Sequence, residues 1–407
     1  MKKLLSILCA AVLLATLVIT CVSCGGSSVS ADFKVGAILI GDENEGYTYA
    51  HINGIRTAAK ELGMSDDQII WKYTVPEDEK CYDAAIDLVE QGCSVIFSNS
   101  YGHQSHMKQA AQECPDVTFV AMTGDQAATS GLSNYKNAFT GVYQSRYVAG
   151  VVAGMKLAEL VADGKLTDAN YDGDNIKLGY VGAYPYAEVV SGFTAYYLGV
   201  KSVVENVTMQ VTYTNSWFDI TAEGTVAEAL AADGCVIISQ HADSTGAPAA
   251  VQALQDKGQV IYCVGYNVDM LSVAPNAALT SPTNTWAVYY KYAMETAANG
   301  GNIDTNWAKG YEADAVGITA LGSACAAGTQ EKVDEVVKGL KDGSIKVFDT
   351  SKFTVGGATL TEYLADVDGD FAPDTNAIWD GYFHESEMRS APYFDIRIDG
   401  IVENNNN

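Results

Sequence analysis

Several short stretches of this chain gather carboxylates, amides, hydroxyls and aromatic rings directly behind apolar runs. Gly41-Asp42-Glu43-Asn44-Glu45-Gly46-Tyr47 sets acids and an amide ahead of an aromatic ring. Asp42 and Asn44 can accept from the ring or hydroxyl donors of a planar polar ligand, and Tyr47 offers a stacking face. The same acids equally suit the first turn of a helix, where negative charge is favoured. Ser98-Asn99-Ser100 supplies hydroxyls and an amide that serve a ligand or a helix cap alike. Asn215-Ser216-Trp217-Phe218-Asp219 puts two aromatics in a turn that is normally polar. Trp217 is there either as the second wall of a stacking sandwich facing Tyr47 or as a hydrophobic cover on the next helix. Gln240-His241-Ala242-Asp243-Ser244 and Tyr266-Asn267-Val268-Asp269-Met270 end two further apolar runs. Asp243, Asn267 and Asp269 can accept from or orient a ligand's hydroxyls, or simply stabilise turns.

Catalytic and metal patterns are weaker. His241 and Asp243 share one loop with Ser244, but no G-x-S-x-G elbow supplies a nucleophile on a turn of its own, so hydrolysis is not expected. Neither a G-x-x-x-x-G-K-[ST] loop nor a G-x-G-x-x-G turn follows a strand, which argues against nucleotide-driven and NAD chemistry, and no cofactor is expected. His103 and His106 stand at i and i+3 without an obvious third ligand. Asp366-Val367-Asp368-Gly369-Asp370 matches only part of an EF-hand loop, with Ala377 where the twelfth-position Glu belongs. No metal site is expected at either place.

The elements that must carry these stretches alternate. Apolar runs at 33–40, 68–75, 94–98 and 117–122 are separated by segments with helical spacing such as Ala50–Leu62 and Cys81–Gln91. After a long helix at 144–162 the pattern restarts with runs at 176–183, 207–213, 235–240 and 260–266, and Asp219 is placed to cap a helix over 221–232. Strands apolar throughout and separated by helices imply parallel sheets covered on both faces. The fold class is therefore α/β, with two doubly wound parallel-sheet lobes and a cleft between the carboxyl ends of their strands. Every stretch singled out above follows a strand and so belongs at that cleft. An aromatic helix, Trp286–Ala298, precedes a looser tail that is expected to pack along one lobe.

The chain has 407 residues, 50 of them acidic and 24 basic, a net charge of −26 and a 48% apolar fraction. That composition buries a large core, and it repels nucleic acid, so no nucleic-acid partner is expected. Lys2 and Lys3 precede an apolar stretch from Leu4 to Thr20, and Cys21-Val22-Ser23-Cys24-Gly25-Gly26 follows. This is the layout of an export signal. A small residue before Cys24 resembles a lipobox, making Cys24 the expected lipidated first residue, with Cys21 or an ordinary secretion signal as the alternatives. Removing residues 1–23 leaves 22 basic residues against 50 acidic ones, a charge of −28. The six cysteines beyond the signal are widely spaced and read as small buried hydrophobes.

Taken in order, VGAILIGDENEGYTYAHINGIRTAAKELG (35–63), CPDVTFVAMTG (114–124), YQSRYVAGVVAGMK (143–156), NSWFDITAE (215–223), QHADSTGAPAA (240–250), VGYNVDM (264–270) and LTSPTNTWAVYY (279–290) resemble the basic membrane protein family. These are substrate-binding lipoproteins that include purine nucleoside receptors of ABC transporters. The resemblance runs from about Phe33 to Leu340. It implies a type I periplasmic-binding-protein fold whose lobes are joined by a hinge. It further implies a purine nucleoside or nucleobase as ligand, an ABC permease as partner and a lipid anchor on the extracytoplasmic face of the cell membrane. By the resemblance Tyr47 and Trp217 are the two rings that sandwich the base, and Asp269 is the acid that engages ribose, with Asn44 and Asn267 orienting the ligand. Asp42, Ser98, Asn99, Asp243 and Trp286 are secondary candidates. A Lys that nucleoside-binding members place after the LTS segment is replaced by Thr283, Asn284 and Trp286. The T-Y-A-H and S-W-F-D segments resemble instead a branch associated with free bases. The implied organisation is a signal at 1–23, a lipidated linker at 24–32, an N-terminal lobe at 33–143 with a return segment near 280–312, a C-terminal lobe at 144–279, and a completing segment and tail at 313–407. An exported nucleoside hydrolase and a lipid-anchored sensor are the rival functions that this sequence leaves open.

Overall fold

The computed structural model describes residues 29–404. Cys24, the signal before it and the last three asparagines lie outside the described residues.

The first sheet is built on β1 (Lys34–Ile38), which pairs in parallel with β2 (Ile69–Lys72) on one side and β3 (Cys93–Ser98) on the other. β4 (Thr118–Ala121), β5 (Tyr135–Thr140) and β11 (Asn306–Lys309) extend it, again in parallel, to the order β11-β5-β4-β3-β1-β2. Alternate side chains of β1 enter different cores. Val35 and Ala37 pack with α1 (Gly46–Glu61) and α8 (Trp286–Ala298). Ile38 packs with α2 (Glu79–Glu90) and α3 (Gln104–Glu113) on the opposite face. Covering both faces is what makes these strands apolar along their whole length.

The second sheet repeats the plan. β6 (Asn175–Gly182) pairs in parallel with β7 (Val207–Tyr213) and β8 (Ile237–His241), and β9 (Tyr262–Val264) adds to β8. One face carries α4 (Val142–Ala162) and α5 (Ala187–Lys201), the other α6 (Ile220–Ala232) and α7 (Gly246–Asp256). Asp219 caps α6 as expected, its carboxylate accepting from the Ala222 N–H at 2.9 Å. This is a two-lobe α/β structure of the type I periplasmic-binding-protein class. The chain passes between the sheets after β5, at β10 (Pro282–Asn284) and again before β12 (Val316–Ile318), and β10 and β12 form an antiparallel pair at the hinge.

Two features depart from the simple alternation. β5 reads Tyr-Lys-Asn-Ala-Phe-Thr, which has no apolar run, yet every residue in it is buried. Its polar groups are satisfied internally: Lys136 donates to Asn302 at 2.9 Å, and the Asn137 carboxamide accepts from the Ala127 N–H at 2.7 Å. The tail, for its part, is more than surface packing. Phe348, Phe383 and Phe394 enter the core of the second lobe, with Phe348 and Phe394 stacked at 4.1 Å. The chain then ends in β13 (Ile401–Glu403), a parallel edge strand on β7. The six cysteines of the described residues are free thiols, and Cys81, Cys93, Cys235 and Cys263 are buried.

Candidate functional site

The N-terminal lobe presents an aromatic wall whose acids are occupied by local hydrogen bonds, while His51 Nε2 and Trp286 Nε1 are buried without partners. The Glu45 carboxylate caps α1, accepting from the backbone N–H groups of Tyr47 at 2.6 Å and Thr48 at 2.8 Å. Asp42 accepts from both the backbone and the side-chain N–H of Asn44 at 2.9 Å, and Asn44 is exposed. Asn99 ties strand ends together: its oxygen accepts from Ile40 N–H at 2.8 Å and its amide donates to Thr48 at 3.1 Å. The Ser98 hydroxyl is buried without a partner. Behind this turn the Tyr47 ring meets the edge of His51 at 4.5 Å, and His51 stacks on Trp286 at 4.2 Å. His51 Nδ1 lies 2.7 Å from the Tyr290 hydroxyl. Burial holds the His51 pKa well below its ordinary value, so the ring is neutral.

The C-terminal lobe offers charged groups instead. Glu188, in the first turn of α5, lies 3.3 Å from His241 Nε2 and keeps 19% of its side chain exposed. Burial pushes its pKa up to about 7. Asp243 is buried, and burial, then the nearby Glu45 carboxylate, raises its pKa well above the usual range. Arg146 of α4 has no exposed surface. Its guanidinium lies 3.6 Å over the Tyr266 ring and donates one hydrogen bond to the Gln240 carbonyl at 2.5 Å. Unpartnered buried atoms concentrate here: Arg146 Nε and Nη2, His241 Nδ1, Gln240 Oε1 and the Tyr266 hydroxyl. Buried polar atoms without partners are costly, and this cluster is chemically suited to a molecule that carries its own donors and acceptors.

The two halves meet. A Cβ on Gly46, at the start of α1, would lie 3.2 Å from the Asp243 carbonyl, so only a residue without a side chain fits comfortably there. Burial first, then the charge of Glu188, with a smaller contribution from Asp243, raises the Tyr47 pKa well above its ordinary value. A chain of buried hydrogen bonds links this point to the hinge. Asn267, at φ 60°, donates to Asp243 at 2.8 Å and accepts from Asn284 of β10 at 3.0 Å; Asn284 in turn accepts from Thr140 at the end of β5. The arrangement suits non-covalent capture of a flat, polar molecule. His241 lies against Glu188 rather than against Ser244, whose hydroxyl accepts from the Gly246 N–H at 3.0 Å.

Residues 40–350 match the family described as ABC transporter substrate-binding protein, PnrA-like. The chain belongs to this family. It is 32% identical over 267 residues to a purine-binding protein of Brucella abortus, covering 65% of this chain and 69% of that one. It is 28% identical over 285 residues to a putative ABC transporter glucose-binding protein of Haloferax volcanii, covering 70% and 66%. A solved solute-binding protein of an ABC transporter from Aeropyrum pernix shares the fold at a TM-score of 0.62 and 16% identity, over 78% of this chain and 93% of that one. A PnrA-like protein is the substrate-binding component of an ABC transporter, with a small molecule as ligand and a permease as partner, and works outside the cytoplasm. Among the described residues, no helix is long and apolar enough to cross a membrane.

In this PnrA-like protein the structure gathers Tyr47, Asp243 and Asn267 at one place. Asp269 stands exposed on the same loop as Asn267, with its carboxylate accepting from the Leu271 N–H at 2.7 Å. Trp217 is half-buried in the turn between β7 and α6, its ring against Tyr184 at 5.3 Å and Tyr186 at 6.1 Å, whereas the rings touching Tyr47 are His51 and Trp286. Trp286 is only 1% exposed and serves as the floor beneath His51. Arg146 and Glu188 escaped the sequence analysis, while His241 was weighed there only for hydrolysis and Tyr266 was named only as part of its loop. Arg146 and Glu188 sit inside helices rather than in loops after strands, so the rule that located the other candidates passes over them. A lone Arg in an otherwise apolar helix, YQSRYVAGVVAG, was the signal available. His103 and His106 hold no metal-like geometry: His103 bonds the Val75 carbonyl at 2.9 Å, and His106 lies 4.0 Å from Glu79. Asp366, Asp368 and Asp370 bring carboxylate oxygens within 4.8 Å of one another, and those groups accept N–H bonds from their own turn.

Proposed function

We propose that the cleft binds a purine, as free base or nucleoside, and delivers it to the permease of an ABC importer. One observation carries this reading: an aromatic wall with Tyr47 at its face opposes a floor of buried, unpartnered polar atoms around Asp243 and Glu188. Stacking supplies affinity with little selectivity, about 1–3 kcal/mol per base. Asp243, positioned by Asn267 and Asn284, and Glu188 read the ring's donors and acceptors, and each buried group that a wrong ligand leaves unpaired costs about 1–3 kcal/mol. Trp217, with Tyr184 and Tyr186, supplies an aromatic rim on the other lobe, and Ser98 and Asn99 back the wall. The purine-binding relative in Brucella supports the same class of ligand. Closure of the lobes about the hinge follows from the contacts that a ligand gains only in the closed state.

We further propose that Cys24 carries a lipid that keeps the protein at the extracytoplasmic face of the cell membrane. Cys24→Ala then releases the protein from the membrane fraction; retention in membranes rejects the anchor. Mass spectrometry of small molecules carried through purification under native conditions tests the ligand. A purine base or nucleoside is the expected find. A hexose, as the glucose-binding relative in Haloferax invites, replaces the purine reading with a sugar one.

A further inference from the structure

The tail beyond the family match, which ends at residue 350, touches both lobes. Its aromatic residues and β13 root it in the C-terminal lobe, and Val367 and Met388 pack against that same core. Their immediate neighbours reach the other way. Arg389 Nη1 pairs with Asp125 Oδ2 at 3.5 Å, the Ser390 hydroxyl donates to the Gly124 carbonyl at 3.4 Å, and the Thr129 hydroxyl donates to the Asp368 carbonyl at 3.4 Å. Residues 124–129 belong to the N-terminal lobe, directly after β4.

Both members of the ion pair are preset within their own lobes. The Arg389 guanidinium donates to the Ala391 carbonyl at 3.1 Å and the Pro392 carbonyl at 3.3 Å. Asp125 accepts from the Tyr101 hydroxyl at 2.5 Å, and its own N–H donates to Gln104 at 2.9 Å. The side chains are 11% and 5% exposed, so the pair is shielded from water and salt. Gly369, at φ 77°, brings the acidic turn so near that a Cβ there would sit 2.9 Å from an Asp125 oxygen. The tail does not pack tightly against the hinge. A cavity of about 210 Å³, lined by Gly141, Gln144, Gly310, Lys346, Tyr382 and Glu385 among others, lies between it and two of the crossing segments.

We propose that residues 366–390 form a strap, a fourth tie between the lobes beside the hinge, which favours the closed state and whose Arg389–Asp125 pair breaks on opening. The strap needs no particular ligand, so it stands or falls apart from the purine reading. Small-angle scattering of the ligand-free, signal-less protein, fitted as a mixture of open and closed forms, tests it in wild type, Arg389→Gln, Asp125→Asn and the double variant. Each single variant is expected to raise the open-to-closed ratio by about five- to 150-fold, the usual range of coupling between sites. The double variant should open no further than either single one, because the partners share one interaction. Thermal melts check that each variant folds, and Asp125→Asn leaves the tail sequence intact should Arg389→Gln fail to fold. Scattering profiles of the folded single variants that match wild type, or opening in the double variant that adds the two effects, would overturn the strap.

Discussion

The two sides of the cleft solve different problems. On the N-terminal lobe, acids that looked ligand-facing are spent on local structure, Glu45 on the start of α1 and Asp42 on Asn44, and Tyr47 gives that side its half-buried ring. On the C-terminal lobe, Arg146, Gln240, His241 and Tyr266 keep buried atoms unpartnered, and burial raises the pKa values of Glu188 and Asp243 above the ordinary carboxylate range. Both sides keep some buried atoms unpartnered, His51 Nε2, the Ser98 hydroxyl and Trp286 Nε1 on the wall among them, but the titratable and charged groups gather on the floor, and in the proposed reading it is these that discriminate among flat molecules. Under the proposed reading, affinity comes mainly from one lobe and selectivity from the other, and a ligand gains both only when the lobes close.

The contrast can be broken from either side. The largest effect is expected from Trp286→Ala, which empties a core position under His51 and should lower folding stability by about 3–5 kcal/mol in denaturant melts, whatever happens to binding. Next, Asp243→Ala should weaken purine binding by about 1.5–3 kcal/mol, roughly ten- to 150-fold by calorimetry, with selectivity among purines flattened. Tyr47→Ala should lose about 1–3 kcal/mol roughly equally for every purine that binds, while Tyr47→Phe keeps the ring and most of the affinity.

A pH experiment sharpens the comparison. Glu188 rises from an ordinary 4.5 to about 7, so across that window the folded protein holds a proton that the unfolded chain has released. Its contribution to stability is therefore full below about 4.5 and disappears as the pH climbs through about 7. Glu188→Gln should match wild type near pH 4.5 and gain in relative Tm up to pH 8; a constant difference across that range rejects the assignment. The smallest effect belongs to Asp269→Ala, expected to shift binding by no more than about 0.5 kcal/mol, because the carboxylate is exposed and engaged in its own turn.

The alternation of apolar runs and helical segments carried the architecture, because a parallel sheet covered on both faces needs strands that are apolar throughout, and a periodic signal survives without knowledge of tertiary contacts. β5 escaped it because Lys136, Asn137 and Thr140 are buried through hydrogen bonds to residues far away in sequence. The tail's role was hidden for the same reason: nothing local in Phe348 or Arg389 says which lobe either will touch. At the site, position after a strand picked out Tyr47, Asp243 and Asn267 together with Asp42, Asn44 and Asp269, and could not rank them. The deciding property is whether a side chain's hydrogen bonds are used up by neighbours, and that exists only once the chain is folded.

The central claim, a purine held between a stacking wall and an acidic floor, is tested most directly by titration calorimetry of the signal-less protein with adenine, hypoxanthine, adenosine and inosine, with glucose and ribose alongside. The expected result is saturable one-to-one binding of at least one purine, weakened at least about tenfold in Asp243→Ala. Heat with a sugar and none with any purine, or purine binding indifferent to Asp243→Ala and Tyr47→Ala alike, contradicts it.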